Sequence, residues 1–260
     1  MTPTLLYHHL GEGVTAFSTT RHGGVSTGTY ASLNINAYCG DALEHINENR
    51  RLLCQTLHLS SPSQLIIPHQ IHQTEICIID EALLALPDAD RQRCLEGIDA
   101  VMTNVEDVCI GVSTADCIPL LVYDAEHRCA CAVHAGWRGT VARIAEKAVK
   151  TMTATYGSKP EAMTAVIGPG ISVDSFEVGQ EVYDAFMQAA FPMERIAVKH
   201  AKWHIDLPLC NRLQLEGAGI PSESIVDTNI CTFSSASDFF SARRLGIHSG
   251  RIYTGIIIRK

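Results

Sequence analysis

Apolar residues recur along this chain with two different periods, and each change of period marks an element. Over residues 43–58, Leu43, Ile46, Leu52, Leu53 and Leu57 fall at roughly helical spacing, which predicts a helix with one buried face. Residues 14–19, 64–68, 75–79 and 100–103 read as short strands. The middle of the chain is its most apolar part. Its runs at 108–113, 119–123 and 129–134 are nearly continuous in hydrophobicity, as strands covered on both faces are. A helix is predicted over about 139–156, where Val141, Ile144, Ala145, Ala148 and Val149 share a face. A strand at 165–167, a helix over 178–190 and a helix over 207–215 follow, the last closed by Gly217, Gly219 and Pro221. Strands are expected again at 239–243 and 252–258. The pattern gives a mixed α/β fold with helices covering sheets. With no repeat, low-complexity tract or polar linker, one domain over 1–260 is expected.

Composition then removes several classes of function. Hydrophobic residues make up 46% of the chain, enough for a large core, yet the longest apolar runs, such as 117–123, are too short to cross a bilayer. The start, Met-Thr-Pro-Thr-Leu-Leu-Tyr-His-His, has neither the basic residues nor the apolar stretch of a secretory signal. A cytoplasmic protein without a membrane partner is expected. The ten cysteines are scattered and form no CxxC pair, so free thiols packed as small hydrophobes are expected. A net charge of −8 with dispersed basic residues disfavours nucleic acid. The densest basic groups, at 138–143 and at Arg243 with Arg244, suit one small anion.

Three segments carry metal-capable side chains at strand ends or turns: His69-Gln-Ile-His72-Gln-Thr, Thr114-Ala-Asp-Cys117 and His134-Ala-Gly-Trp-Arg-Gly-Thr140. Taken singly, a cysteine in Ala-Asp-Cys-Ile-Pro is more often a core thiol. Taken together, His72, Cys117 and His134 make a catalytic ligand set, three protein donors with a fourth position open. Nitrogen with sulfur favours zinc, with copper as the second choice. After His134 a glycine-rich turn leads into a predicted helix, offering backbone amides and Arg138 to an anion. Glu177 and Asp116 are the carboxylates placed to move a proton. Arg21, Arg243 and Arg244 are further loop candidates, and Cys231 is a second thiol for which core packing is the commoner role.

These segments together resemble the YfiH family, also called the laccase-domain or multicopper polyphenol oxidoreductase family, which includes purine nucleoside phosphorylases. The resemblance lies in Ser18-Thr-Thr-Arg-His-Gly-Gly-Val-Ser, Gln70-Ile-His-Gln-Thr, Asp99-Ala-Val-Met-Thr, Thr114-Ala-Asp-Cys-Ile-Pro-Leu, His134-Ala-Gly-Trp-Arg-Gly-Thr, Ile167-Gly-Pro-Gly-Ile, Ser175-Phe-Glu-Val-Gly and Phe240-Ser-Ala-Arg-Arg. It implies that His72, Cys117 and His134 bind the metal while His69 does not. It also implies a single layered α/β/α/β sandwich with mixed sheets, of a cysteine-hydrolase-like kind. The activity implied is zinc-dependent phosphorolysis of adenosine, inosine, guanosine and methylthioadenosine, a transferase reaction, with deamination of adenosine, a hydrolase reaction. Purine nucleosides and phosphate would be its partners, held by Arg138 and by Arg21 or Arg244, in a monomer or small homo-oligomer.

Two other activities use the same residues. A cysteine hydrolase with Cys117 as nucleophile and His72 or His134 as base would fit relatives described as editing a mis-charged peptidoglycan precursor. A copper polyphenol oxidase needs several coppers and paired histidines, and none of the twelve histidines forms a His-x-His pair. A non-enzymatic binding module would show heptads or a basic amphipathic helix, and the sequence has neither.

Overall fold

Strand Ile118–Asp124 lies at the centre of the molecule, and its two-residue period sets the layers on either side. In the computed structural model, which describes all of residues 1–260, every residue of this strand is buried. Ile118, Leu120 and Val122 join one core cluster, while Leu121 and Tyr123 join another, as alternation across a pleated strand requires. Its neighbours repeat the division. Cys129, Cys131, Val133 and Ala135 face the first cluster, and Ala130 and Ala132 face the second.

That strand belongs to a six-stranded mixed sheet in the order Ile225–Asp227, Met163–Ile167, Ile118–Asp124, Cys129–Ala135, Ala100–Thr103, Ile76–Ile78. A five-stranded mixed sheet has the order Leu5–His8, Val14–Thr19, Ile252–Ile258, Cys109–Thr114, Leu65–Ile66. The second cluster joins the two sheets directly, since Ala16, Ile110, Val112, Ile256 and Ile258 of the smaller sheet meet Val101, Leu121, Ala132 and Val166 of the larger. The outer face of the five-stranded sheet, with Phe17, Cys109, Tyr253 and Ile257, is covered by Leu53 and Cys54 of helix Leu43–Thr56. The outer face of the six-stranded sheet is covered by helices Ile144–Tyr156 and Leu207–Gly217.

The expected mixed α/β fold with mixed sheets is therefore present. Its central layers run helix, sheet, sheet, helix, where the alternating α/β/α/β order would have put a helix between the sheets. Both faces of the central strands are apolar in either order, so the sequence pattern does not distinguish them. A small three-stranded sheet, Glu177–Val178, Trp203–Ile205 and Ala197–Lys199, packs beside the helices.

Three of the expected elements take a different form. The 139–156 helix is two helices, Trp137–Val141 and Ile144–Tyr156, separated at Arg143, which has φ +63°. The Arg143 guanidinium lies 3.9 Å from the Phe191 ring centroid and donates to Ala189 O, holding the break. The 178–190 helix begins only at Gln180, because Glu177 and Val178 pair with Trp203 and His204 in the small sheet. Residues 239–243 are no strand. Phe239 and Phe240 fill a cluster with Ala115 and Ile252, and the Ser241 hydroxyl caps the short helix Ala242–Leu245. The aromatics that suggested a strand are buried by a loop.

Candidate metal centre

Strands Cys109–Thr114 and Ile118–Asp124 are consecutive in the chain yet belong to different sheets. The crossing takes three residues, Ala115-Asp116-Cys117, and requires Asp116 to adopt φ +87°. That conformation is costly for a non-glycine residue, and the Asp116 carboxylate fixes it. Its Oδ1 accepts from Thr232 Oγ1 and its Oδ2 from Arg243 N, both at 2.7 Å. Cys117 is thereby held at the seam between the two sheets.

His134 reaches the same seam from strand Cys129–Ala135. Ala130 and Ala132 face the other sheet, so the two-residue period turns His134 the same way. Asp99, just before strand Ala100–Thr103, shares the face of Val101. The Asp99 Oδ1 lies 2.7 Å from His134 Nδ1, and both side chains are buried. A carboxylate can only accept, so the proton sits on Nδ1 and Nε2 is the nitrogen left for a ligand. The same carboxylate organises the loop that carries His72. It accepts from Ile71 N (3.3 Å), His72 N (3.0 Å) and Gln73 N (2.7 Å), holding His72 at φ +63°. The Gln70 amide pairs with both backbone groups of Ser113, tying this loop to the five-stranded sheet.

The ligand atoms of His72, Cys117 and His134 lie within 4.8 Å of one another, and the two imidazole rings meet edge to face at 4.8 Å. Gly136 leaves room for them. A Cβ there would stand 2.9 Å from His72 Cδ2 and 3.1 Å from Cys117 Sγ. Loss of water around the sulfur would by itself raise the Cys117 thiol. The positive charge and hydrogen bond of His134, with those of His72, outweigh it and bring the thiol down to about 6. Burial would likewise lower His134, but the facing Cys117 and Asp99 carry it up to about 9. In the metal-free chain these two groups form a thiolate–imidazolium pair.

The centre opens into a cavity of about 340 Å³ whose lining includes Tyr38, His69, Gln70, Ser113, Thr114 and Arg251. Tyr38 and His69 stack with centroids 4.0 Å apart, and His69 pairs with Glu96. The structure brings His72, Cys117 and His134 together and distributes the other candidates around them. Asp116 adjoins Cys117 in sequence, but both its carboxylate oxygens are engaged in the turn. Glu177 is on the surface, where its hydrogen bond to Lys202 at 2.8 Å holds the carboxyl below its ordinary value. Arg21 donates to Ala31 O and Ala236 O. Arg138 is exposed and lies over the Trp137 ring, and Arg244 lies over Phe233. None of these five lines the cavity. Cys231 lies near Ser172 and Ser175, which bring its thiol down to about 6 against the opposing effect of burial.

Sequence reasoning gave no role at this centre to Asp99, Gly136 or Arg251, and read Gly136 only as part of a turn that offers amides to an anion. Asp99 had two available signals, an acid opening a fully apolar strand and its place in the segment Asp99-Ala-Val-Met-Thr that carries part of the family resemblance. Gly136 had its position between two candidate ligands and a helix. Arg251 had none.

A family model described as multi-copper polyphenol oxidoreductase laccase matches residues 15–259. A Bacteroides thetaiotaomicron protein named purine nucleoside phosphorylase is 45% identical over 252 residues, 96% of this chain and 93% of that one. Adenosine deaminase RL5, from an unknown prokaryotic organism, is 41% identical over 248 residues, 94% of each chain. Among solved structures, the hypothetical protein YfiH of Bacillus licheniformis superimposes with a TM-score of 0.88 at 29% identity, covering 95% of this chain and 93% of its own. YlmD of Geobacillus stearothermophilus gives 0.88 at 28%, covering 96% and 93%.

Proposed function

This chain belongs to the multi-copper polyphenol oxidoreductase laccase family, and from that premise we propose that it is a zinc-dependent purine nucleoside phosphorylase that also deaminates adenosine. Adenosine, inosine, guanosine and methylthioadenosine are its proposed substrates. The observation that carries the proposal is the convergence of His72, Cys117 and His134 at the foot of a cavity. The donor set fits zinc: a thiolate, an imidazole whose other nitrogen is held by a buried carboxylate, and a second imidazole on a braced loop. When bound, zinc supplies a Lewis acid that lowers the pKa of a coordinated water to about 7.

The chain's own residues do the positioning. Asp99 keeps the His134 proton on Nδ1 and keeps His72 turned toward Cys117. In phosphorolysis the bond from ribose C1′ to purine N9 breaks as a phosphate oxygen joins C1′. The site's contribution there is to align phosphate and nucleoside and to exclude water, an effect worth several kcal/mol when the reacting atoms are well oriented. The stacked Tyr38 and His69 give the cavity a flat aromatic wall suited to a purine.

A second reading is favoured by the same geometry. Asp99, His134 and Cys117 form an acid–imidazole–thiolate series, and a thiolate near pH 6 is what a cysteine nucleophile requires. In that reading the protein hydrolyses a mis-charged peptidoglycan precursor.

One experiment separates the two. Protein prepared without a metal-affinity tag is analysed for bound metal by mass spectrometry, and wild type and Cys117→Ala are assayed with adenosine and inosine, with and without phosphate. The expected result is about one zinc per chain, with metal and phosphate-dependent base release both lost in the variant. Metal-free wild type with no nucleoside turnover would sink the phosphorylase reading and leave the hydrolase. Copper with phenol oxidation would assign the family's laccase chemistry instead.

A further inference from the structure

The cations chosen from sequence lie outside the cavity, and the arginine that lines it is Arg251. We propose that Arg251, with the hydroxyl of Ser113, forms an oxyanion subsite in the cavity that Cys117 lines and that its ligand is inorganic phosphate. The assignment rests on the phosphorylase reading for the identity of the anion, and on geometry for the existence of the site.

Arg251 pairs with no carboxylate. Its Nη1 donates to Ser249 O at 2.6 Å and Gly250 O at 3.0 Å, with a longer contact to Ser249 Oγ, and its Nη2 donates to Ile247 O at 2.9 Å. Of the five N–H groups of a guanidinium, Nε–H and one on Nη2 are left without a partner. The carbonyls hold the plane in place without cancelling its charge, so the free edge is ready to take two oxygens of one anion.

The second observation is independent. Ser113 and Thr114, at the end of strand Cys109–Thr114, also line the cavity, and their side chains are 5% and 1% exposed. Both hydroxyls are buried without any hydrogen-bond partner. Buried polar groups are nearly always paired. Successive strand residues face opposite ways, and Ser113 lies opposite Tyr253, two residues from Arg251, so its unpaired hydroxyl is the one on the side of Arg251. A hydroxyl turns about one bond to donate to an anion, and the backbone beneath both residues is already fixed in the sheet. Gln70 spends its own amide on Ser113 N and O, so it does not compete for the anion. The lining includes no carboxylate to repel one.

The test uses the full chain, with inorganic phosphate as the probe. Phosphate binding is followed by calorimetry, and the KM for phosphate is measured apart from the KM for inosine, in wild type, Arg251→Gln, Arg251→Lys and Ser113→Ala. Arg251→Gln is expected to weaken phosphate binding roughly 10- to 100-fold, the effect of losing a charge-assisted bidentate contact. Arg251→Lys should recover part of it. Ser113→Ala removes a hydroxyl that bonds to nothing in the fold, so it should melt no lower than wild type while its KM for phosphate rises and its KM for inosine does not. Phosphate binding by wild type that is unchanged in Arg251→Gln and in Ser113→Ala would overturn the subsite, as would the absence of phosphate binding by wild type. Phosphate bound through Arg251 with no nucleoside cleaved would keep the subsite and remove the phosphorylase reading.

Discussion

Replacing Asp99 with asparagine changes the charge and the hydrogen-bonding capacity of the centre while keeping its shape. The buried carboxylate accepts four hydrogen bonds, from His72 N and His134 Nδ1 on Oδ1 and from Ile71 N and Gln73 N on Oδ2. An amide has one oxygen, so in either orientation its NH₂ group faces two donors. With the oxygen toward His72 and His134, the NH₂ meets the N–H groups of Ile71 and Gln73 and displaces the loop. With the oxygen the other way, His134 must adopt the opposite tautomer, which places a proton on the nitrogen that would bind metal. Two charge-assisted hydrogen bonds are lost at about 1.5–3 kcal/mol each, partly offset because a neutral amide costs less to bury. The expected net loss of stability in the metal-free protein is about 3 kcal/mol, and that of metal affinity is roughly 10- to 100-fold. The pH dependence has a definite sign. Burial alone would raise the Asp99 carboxyl, but its bonds to His134, Gln73 N and Ile71 N bring it below its ordinary value. Its stabilisation is therefore complete above the unfolded value of about 3.9 and is lost as pH falls through the lower folded value. Wild type and variant should converge only in strong acid. Urea unfolding of metal-free protein across that range measures the first quantity, and competition with a chromophoric zinc chelator the second. An Asp99→Asn protein matching wild type in both would show that the carboxylate does not brace the centre.

Gly136→Ala should keep the fold, since φ is −69° at that position, yet lose metal affinity roughly tenfold or more as the new methyl group crowds His72 and Cys117; full occupancy by mass spectrometry would contradict this. Because His134 sits at about 9 in the metal-free chain and must be neutral to bind, apparent zinc affinity should rise about tenfold per pH unit between roughly pH 6.5 and 8.5. A flat profile in the chelator competition would place that proton elsewhere. Leu121→Ala, in the apolar layer between the sheets, should cost about 2–5 kcal/mol in urea unfolding while leaving metal stoichiometry intact below the transition; a loss under about 1 kcal/mol would mean that this layer is loosely packed.

The strands of the apolar middle, buried on both faces, were legible to within one residue at each end, and Val14–Thr19, Ala100–Thr103 and Ile252–Ile258 to the residue, because nearly every position in them is constrained to be apolar or small. Ala197–Lys199 and Trp203–Ile205 were not seen. They are three residues long, Val198 is exposed, and so short a run shows no period. The candidate metal residues, which the fold brings within 4.8 Å of one another, were legible for a different reason, since only a few side chains bind metal and three of them fell at turns. Their support was not. Asp99 reads locally as one more acid before a strand, and only its contacts with residues 71–73 and with His134, thirty-five positions away, reveal its function. The arginines suffered the reverse error. Arg21, Arg138 and Arg244 sit within recognisable motifs, yet their guanidinium groups are stacked on aromatic rings or bonded to carbonyls.

The seam between the sheets gives these separate facts a common cause. Two of the three candidate ligand positions depend on backbone that an ordinary strand or helix does not supply: His72 is itself left-handed, and Cys117 follows a left-handed Asp116. Each such residue costs of order 1 kcal/mol or more, and each is held by an aspartate whose two oxygens are both engaged, Asp99 for the loop and Asp116 for the crossing. Sheet pairing alone would leave the sulfur and the imidazoles apart, because a pleated strand turns alternate side chains to opposite faces. The two carboxylates bend the chain at the points where it leaves the sheets, and the ligand atoms converge as a result. Asp116, chosen from sequence as a proton carrier, is in this structure the group that positions the sulfur.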